Sequence, residues 1–115
     1  MKKEVNILEM TLRELCNALG VTRRMIQRYE SYGLVSPCGK TDRGYLLYDD
    51  IAYNRAKKVK EYQMFGFTLK EISQLKTRSV EDKKEILLNQ LEILKNNKKV
   101  IDETIQILEE EISEL

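Results

Sequence analysis

Leucine and isoleucine recur through the last third of this chain with the spacing of a long amphipathic helix. Leu87, Leu91, Leu94, Ile101, Ile105, Leu108, Ile112 and Leu115 step by four, three and seven residues, the repeat of a heptad seam. Lys98 alone interrupts it, and the phase is the same on both sides of Asn96-Asn97-Lys98-Lys99. One continuous helix from Val80 to Leu115, about 54 Å long, is therefore expected rather than a hairpin. A lone helix cannot cover such a seam and needs a partner. Ile86, Ile93, Val100 and Ile107 form a second row one position earlier. That row widens the stripe beyond a plain two-stranded coil, so part of it is expected to pack on a globular domain of the same or the partner chain. The two ways to cover the seam are a homodimer and an intramolecular clasp. The homodimer is the expectation here, because nothing in the sequence follows Leu115 to cover it.

The earlier part of the chain has short helices with clear stops. Thr11-Leu12-Arg13-Glu14 reads as a capping box. Leu12, Leu15, Cys16 and Leu19 then recur at helical spacing, and Gly20 closes the helix. Thr22 caps a second helix to about Tyr32, stopped by Gly33. Two helices joined by a tight Gly-Val turn have the outline of a helix-turn-helix. Leu15, Leu19, Val21, Ile26 and Tyr29 make one consistent buried set, which leaves Arg23, Arg24, Gln27 and Arg28 outward. Side chains of that kind reach phosphates and base edges in a major groove. Two packed helices with a solvated basic face would leave the same pattern.

Residues 34–48 lose the helical period and hold Pro37, Gly39 and Gly44, followed by Tyr45-Leu46-Leu47-Tyr48. A loop bounded by glycine and a short strand make a β-hairpin wing, with Lys40 and Arg43 at its tip; an ordinary surface loop is the alternative. Asp49 or Asp50 caps a third helix, closed by Gly66, with Ile51, Val59 and Tyr62 expected inward and Arg55, Lys57, Lys58 and Lys60 outward. Thr68-Leu69-Lys70-Glu71 is a second capping box and opens a fourth helix with Ile72 and Leu75 inward; Ser79 caps the long helix. The fold class expected is mostly α: residues 1–78 as a winged helix-turn-helix DNA-binding domain with a small β-hairpin wing, and 79–115 as a long dimerisation helix.

Charge divides along the same line. Residues 1–78 hold 15 Lys and Arg against 9 Asp and Glu, and residues 79–115 hold 5 against 10. A basic segment for a polyanion and an acidic one for another task fit that division. Cys16 and Cys38 are the only cysteines and histidine is absent, so neither a disulfide framework nor a metal site is expected, and the commonest general base is missing. No nucleophile–base pairing or phosphate-binding loop suggests an enzyme, and no cofactor is implied. The start, MKKEVNILEM, has no secretory character and no apolar run is long enough for a bilayer, so a cytoplasmic protein without a membrane partner is expected.

Gly20-Val21-Thr22, Arg24, Tyr29-Glu30, Gly33-Leu34, Pro37, Gly44-Tyr45, Tyr48, Gly66-Phe67-Thr68 and Glu71-Ile72 occur in an order and spacing that resemble the MerR family of transcription regulators. The long terminal helix completes the outline. The resemblance implies a winged helix-turn-helix whose second helix pair acts as an additional wing, and an antiparallel coiled coil between two protomers. It further implies binding of double-stranded DNA at a pseudo-palindromic promoter element that is bent and untwisted at its centre, with RNA polymerase at that promoter as a further candidate partner. By position, Thr11, Arg24 and Tyr29 match residues that in the family meet the DNA backbone or groove, and Tyr45 matches a wing residue near the phosphates.

Two positions depart from the pattern. The family usually has an arginine where this chain has Gln27, and a Gly-Tyr-Arg wing where this chain has Gly44-Tyr45-Leu46. Arg28 and Arg43 stand beside these positions, and the Gln27 amide has the groups to read adenine. With no cysteine or histidine after Cys38, the thiolate metal pocket of the metal-sensing branch is not expected. The chain reads as a short member without an effector domain, and no small-molecule effector is evident. Constitutive action, response to its own concentration and control by a protein partner are all open. From a different class, a helical protein-interaction module with a degenerate DNA-binding fold also fits Gln27 and Leu46.

Overall fold

The computed structural model describes residues 9–115. Backbone contacts separate the chain into two compact units, the first ending at Thr77 and the second covering Arg78–Leu115. The first contains β1 (Met10–Thr11), α1 (Leu12–Leu19), α2 (Arg23–Ser31), β2 (Gly39–Lys40), β3 (Leu46–Tyr48), α3 (Asp50–Phe65) and α4 (Leu69–Leu75); the second is α5 (Val80–Ser113).

Each helix starts where a side-chain oxygen satisfies a free backbone N–H. Thr11 and Thr68 form complete capping boxes with Glu14 and Glu71, while Thr22, Asp49 and Ser79 accept from the N–H three residues on. Between α1 and α2 the chain turns at Gly20, whose φ of 67° lies in the left-handed region open to glycine. Its N–H and that of Val21 both donate to the Cys16 carbonyl, which closes α1 as the Gly-Val turn requires.

Three very short strands make one antiparallel sheet in the order β1-β3-β2. Leu47 stands opposite Thr11 on one side and Gly39 on the other. The hairpin of β2 and β3 was expected. The additional strand β1 arises because the chain entering α1 runs beside Tyr48 and Leu47, so Thr11 ends a strand and caps a helix at once.

The core gathers Leu15, Cys16 and Leu19 of α1, Val21, Ile26 and Tyr29 of the turn and α2, Leu34 and Val35 of the following loop, Tyr48 of β3, and residues of α3 and α4. On α3 the inner row is Ala52, Ala56 and Val59; Tyr62 packs partly buried beside it, whereas Ile51 is 57% exposed. The inward expectation for Ile51 fails for a geometric reason. Ala52, Ala56 and Val59 follow the helical period, and their small side chains let α3 come close to the core. On α4, Leu69, Ile72 and Leu75 are all buried.

Two buried tyrosines lock these elements together. The Tyr29 hydroxyl donates to Gln63 Oε1 on α3 at 2.7 Å, and the Tyr48 hydroxyl donates to Glu30 Oε2 on α2 at 2.6 Å. Lys60 on α3 donates to the carbonyl of Leu19 at the end of α1, and Lys76 donates to the carbonyl of Gly33 just beyond α2, at 2.8 Å. Both lysines therefore meet helix C-termini, where unpaired carbonyls favour a cation.

The second unit obeys other rules. α5 runs unbroken through Asn96-Asn97-Lys98-Lys99 for 34 residues, about 51 Å. None of its residues is buried. Leu91, Leu94, Ile101, Ile105, Leu108 and Ile112 are between 41% and 60% exposed, and only Ile86, Leu87 and the neighbouring Lys83 and Gln90 are half-buried. An exposed apolar stripe of this length is the kind of surface at which proteins pack against a partner.

The tyrosine bond yields a pH-dependent test. Burial, then the hydrogen bond and charge of Glu30, push the Tyr48 hydroxyl well above its ordinary value. The folded state holds this proton more tightly than the unfolded chain. The stability so gained is full below the unfolded value, about pH 10, and is lost as pH rises beyond it. In urea unfolding, Tyr48→Phe is expected to lower stability at neutral pH by about 1–3 kcal/mol, because Glu30 loses its partner. Between about pH 9 and 11 the stability of the variant should fall less steeply than that of the wild type. Equal slopes for the two proteins would show that the bond carries no such linkage.

Candidate nucleic-acid interface

α2 shows how one helix separates support from display. Ile26 and Tyr29 face the core, while Arg23, Arg24, Gln27 and Arg28 are all exposed. The helix has no acidic residue in its first turn, and two arginines occupy its first two positions. Positive side chains beside the positive end of a helix dipole do nothing for the helix itself. They create instead a concentrated positive potential, next to N–H groups that point outward.

The wing stands on its own hydrogen bonds. Thr41 donates its N–H to the Tyr45 carbonyl at 2.8 Å, and its hydroxyl accepts from the Tyr45 N–H at 3.1 Å. Gly44 closes the turn with φ 87° and donates to the Thr41 carbonyl. Arg43 projects from this tip and Lys40 from the strand just before it, both exposed; Tyr45 is 62% exposed. Leu46, where an arginine was the family expectation, packs partly buried against the core.

A cleft of about 480 Å³ opens where these elements meet, lined by Thr11, Leu12, Arg13, Arg23, Gly44, Tyr45 and Leu46. It brings together three of the residues expected at DNA, Thr11, Arg23 and Tyr45, from three separate stretches of the chain. Arg24, Gln27, Arg28, Lys40 and Arg43 are not part of its lining. Arg13 is an addition that reading the sequence did not single out. It is the second residue of an eight-residue helix whose opposite side is core, and only the return of the wing 30 residues later makes it part of a site.

Tyr29 was expected both in the core and at DNA. The residue is 1% exposed and its hydroxyl donates to Gln63, so it supports α2 from within. The Thr11 hydroxyl is likewise engaged, accepting from the Glu14 N–H and donating to the Glu14 carboxylate, each at 3.2 Å. Thr11 remains half-exposed at the cleft.

Neither cysteine has the setting of a reactive thiol. Burial raises the pKa of Cys16, with Arg23 pulling it down less strongly. Cys38 is exposed, yet local desolvation and then the carboxylates of Asp49 and Glu9 raise its pKa as well. Both shifts disfavour the thiolate, the form that reacts with oxidants.

Against known proteins, the profile of the MerR HTH family regulatory proteins matches residues 10–78. The chain is 30% identical over 102 residues to the HTH-type transcriptional activator mta of Bacillus subtilis, covering 89% of this chain and 40% of the activator. It is 34% identical over 68 residues to the mercuric resistance operon regulatory protein of Bacillus cereus, covering 59% and 52%. The chain thus spans about half or less of the length of these two relatives. Among solved structures, the N-terminal part of the Bacillus subtilis multidrug transporter activator, MtaN, superposes with a TM-score of 0.67 at 30% identity, covering 90% of this chain and 97% of that one. HiNmlR, a MerR family regulator lacking the sensor domain and bound to promoter DNA, superposes with a TM-score of 0.73 over 92% of this chain and 89% of its own, at 16% identity. That likeness is one of fold. With the capped helix pair, the wing and the following helix pair all inside the matched segment, this chain belongs to the MerR family of helix-turn-helix regulatory proteins.

Proposed function

We propose that this chain is a sequence-specific, DNA-binding transcription regulator of the cytoplasm, and that it holds a pseudo-palindromic promoter element as a homodimer and distorts it. The observation that carries the reading is the outward face of α2, where Arg23, Arg24, Gln27 and Arg28 are exposed together while Ile26 and Tyr29 are held in the core. A helix displayed in this way has the cations for phosphates and the amide and guanidinium forks for base edges. Lys40 and Arg43 of the wing add exposed cations for the DNA backbone, and Tyr45 adds an exposed hydroxyl. One relative is a transcriptional activator and one fold neighbour was solved on promoter DNA, which supports this reading.

α5 supports the dimer. Its seam begins at the half-buried Leu87 and continues through Leu91, Leu94, Ile101, Ile105, Leu108 and Ile112, all exposed on the single chain. An antiparallel pairing of two such helices removes the stripe from water and relates two copies of α2 by a dyad. A dyad fixes the spacing of two half-sites, so the operator must mirror it. Binding of this kind deforms the duplex when the half-sites are out of line with straight DNA, and RNA polymerase at the same promoter is then the partner whose access changes.

Two measurements test the reading. Selection from random duplexes with the purified chain should enrich a pseudo-palindrome whose affinity falls steeply with salt. On that duplex Arg24→Ala should weaken binding by about 1–3 kcal/mol if the guanidinium reads a base. Enrichment of no sequence would leave the chain a protein-interaction module. Separately, sedimentation at micromolar concentration should give twice the chain mass of 13.6 kDa. Leu108→Asp, which places a charge in the seam, should return the protein to a single chain; a wild-type monomer would remove the dimer from the proposal.

A further inference from the structure

We propose that Arg13 of α1, together with Arg23 of α2, seats one phosphodiester of the DNA backbone in the cleft beside Tyr45. This rests on the DNA-binding reading and adds to it a contact residue and a definite place for it.

The cleft is built for a ligand with a compact negative charge and an adjoining apolar part. Arg13 and Arg23 come from two different helices and line the same cavity of about 480 Å³. Among the described residues neither is in a hydrogen bond or an ion pair with a carboxylate. The nearest acid in sequence, Glu14, is already taken: its Oε1 accepts from the Thr11 N–H at 2.9 Å and from the Thr11 hydroxyl. α2 offers no acid in its first turn. Among the described residues, two arginines thus line one cavity whose lining includes no carboxylate. That pairing favours phosphate, which accepts the planar fork of arginine through two oxygens.

The remaining walls suit the rest of a nucleotide backbone. Leu12 and Leu46 supply apolar surface to the lining, and low-dielectric walls strengthen the attraction of the two cations for an anion in the cleft. Gly44 has nothing within 4 Å of the place a β-carbon would occupy, so the wing leaves the cleft open at that point. Tyr45, largely exposed, adds a hydroxyl donor at the rim. Gln27 and Leu46 carry no charge, and Arg13 and Arg23 are the cations among the residues lining this cleft.

The test uses the full chain and the duplex enriched by selection, with affinity measured by fluorescence anisotropy over a range of KCl. Each phosphate contact contributes about 0.9 to the slope of log K against log salt. Arg13→Gln should therefore reduce the slope by about that amount, and the Arg13→Gln, Arg23→Gln double variant by about twice as much. Preference for the operator over a scrambled duplex should persist in Arg13→Gln, because a phosphate contact reads no sequence. Arg13→Lys should keep the slope, and an unchanged melting temperature in Arg13→Gln would separate lost contact from lost fold.

An unchanged slope in Arg13→Gln, with wild-type binding intact, overturns this inference alone. A shift of the Arg13 side-chain resonance with millimolar inorganic phosphate, accompanied by an unchanged slope, would make the cleft a free-anion site and likewise overturn it. If the wild type binds no duplex in a salt-dependent way, the DNA-binding reading falls and this inference falls with it.

Discussion

Two buried phenols set the attitude of α2, and the surface of the first unit follows from them. A tyrosine brings a large apolar body into the core together with a hydroxyl that must find a partner there. Tyr29 finds Gln63 on α3, and Tyr48 finds Glu30 on α2. One bond runs outward from the helix and the other inward to it, so α2 is tied to α3 on one flank and to the strand of the wing on the other. Rotation of α2 about its axis would break at least one of these bonds and expose Ile26, which is now fully covered. The display of Arg23, Arg24, Gln27 and Arg28 is thus a consequence of what the opposite side must satisfy.

The two units divide the physical work. In the first, a small core is closed by caps, glycine turns and a few long-range hydrogen bonds, and lysines from the α3–α4 region attend the carboxyl ends of α1 and α2. The second has no core of its own. It is one helix whose apolar stripe is exposed on the single chain, and helices in proteins draw most of their stability from packing of the apolar face rather than from propensity. The match to the MerR family covers residues 10–78, essentially the first unit.

Local chemistry was the legible part of this fold. Thr11-Glu14 and Thr68-Glu71 announced their helices, Gly20 and Gly33 ended theirs, and the phase of the leucines across Asn96-Asn97 argued for one helix where a turn was conceivable. These signals act within four residues or repeat along one helix. What escaped depends on segments far apart in sequence. β1 is only two residues long and is created by Tyr48 and Leu47 returning to its side. Ile51 was placed inward by its hydrophobicity, whereas close packing favoured the alanines one position later. Tyr29 was legible as a core residue, but its hydroxyl's partner was not, because Gln63 lies 34 residues away. The cleft was invisible for the same reason, because Arg13 becomes part of it only after the wing has folded back.

The outer strand of the wing, β2, is two residues long and consists of Gly39 and Lys40. A sheet border this brief, with a lysine on it, offers little template for a stray strand to join, which keeps a protruding hairpin from nucleating aggregates. The turn beyond it is closed by Thr41 and Tyr45 bonding to each other rather than to the body of the protein. Residues 42–43 are therefore free to change in identity, and the loop to grow, without disturbing the interior. The reach of the hairpin can thus be altered while the scaffold beneath it stays constant.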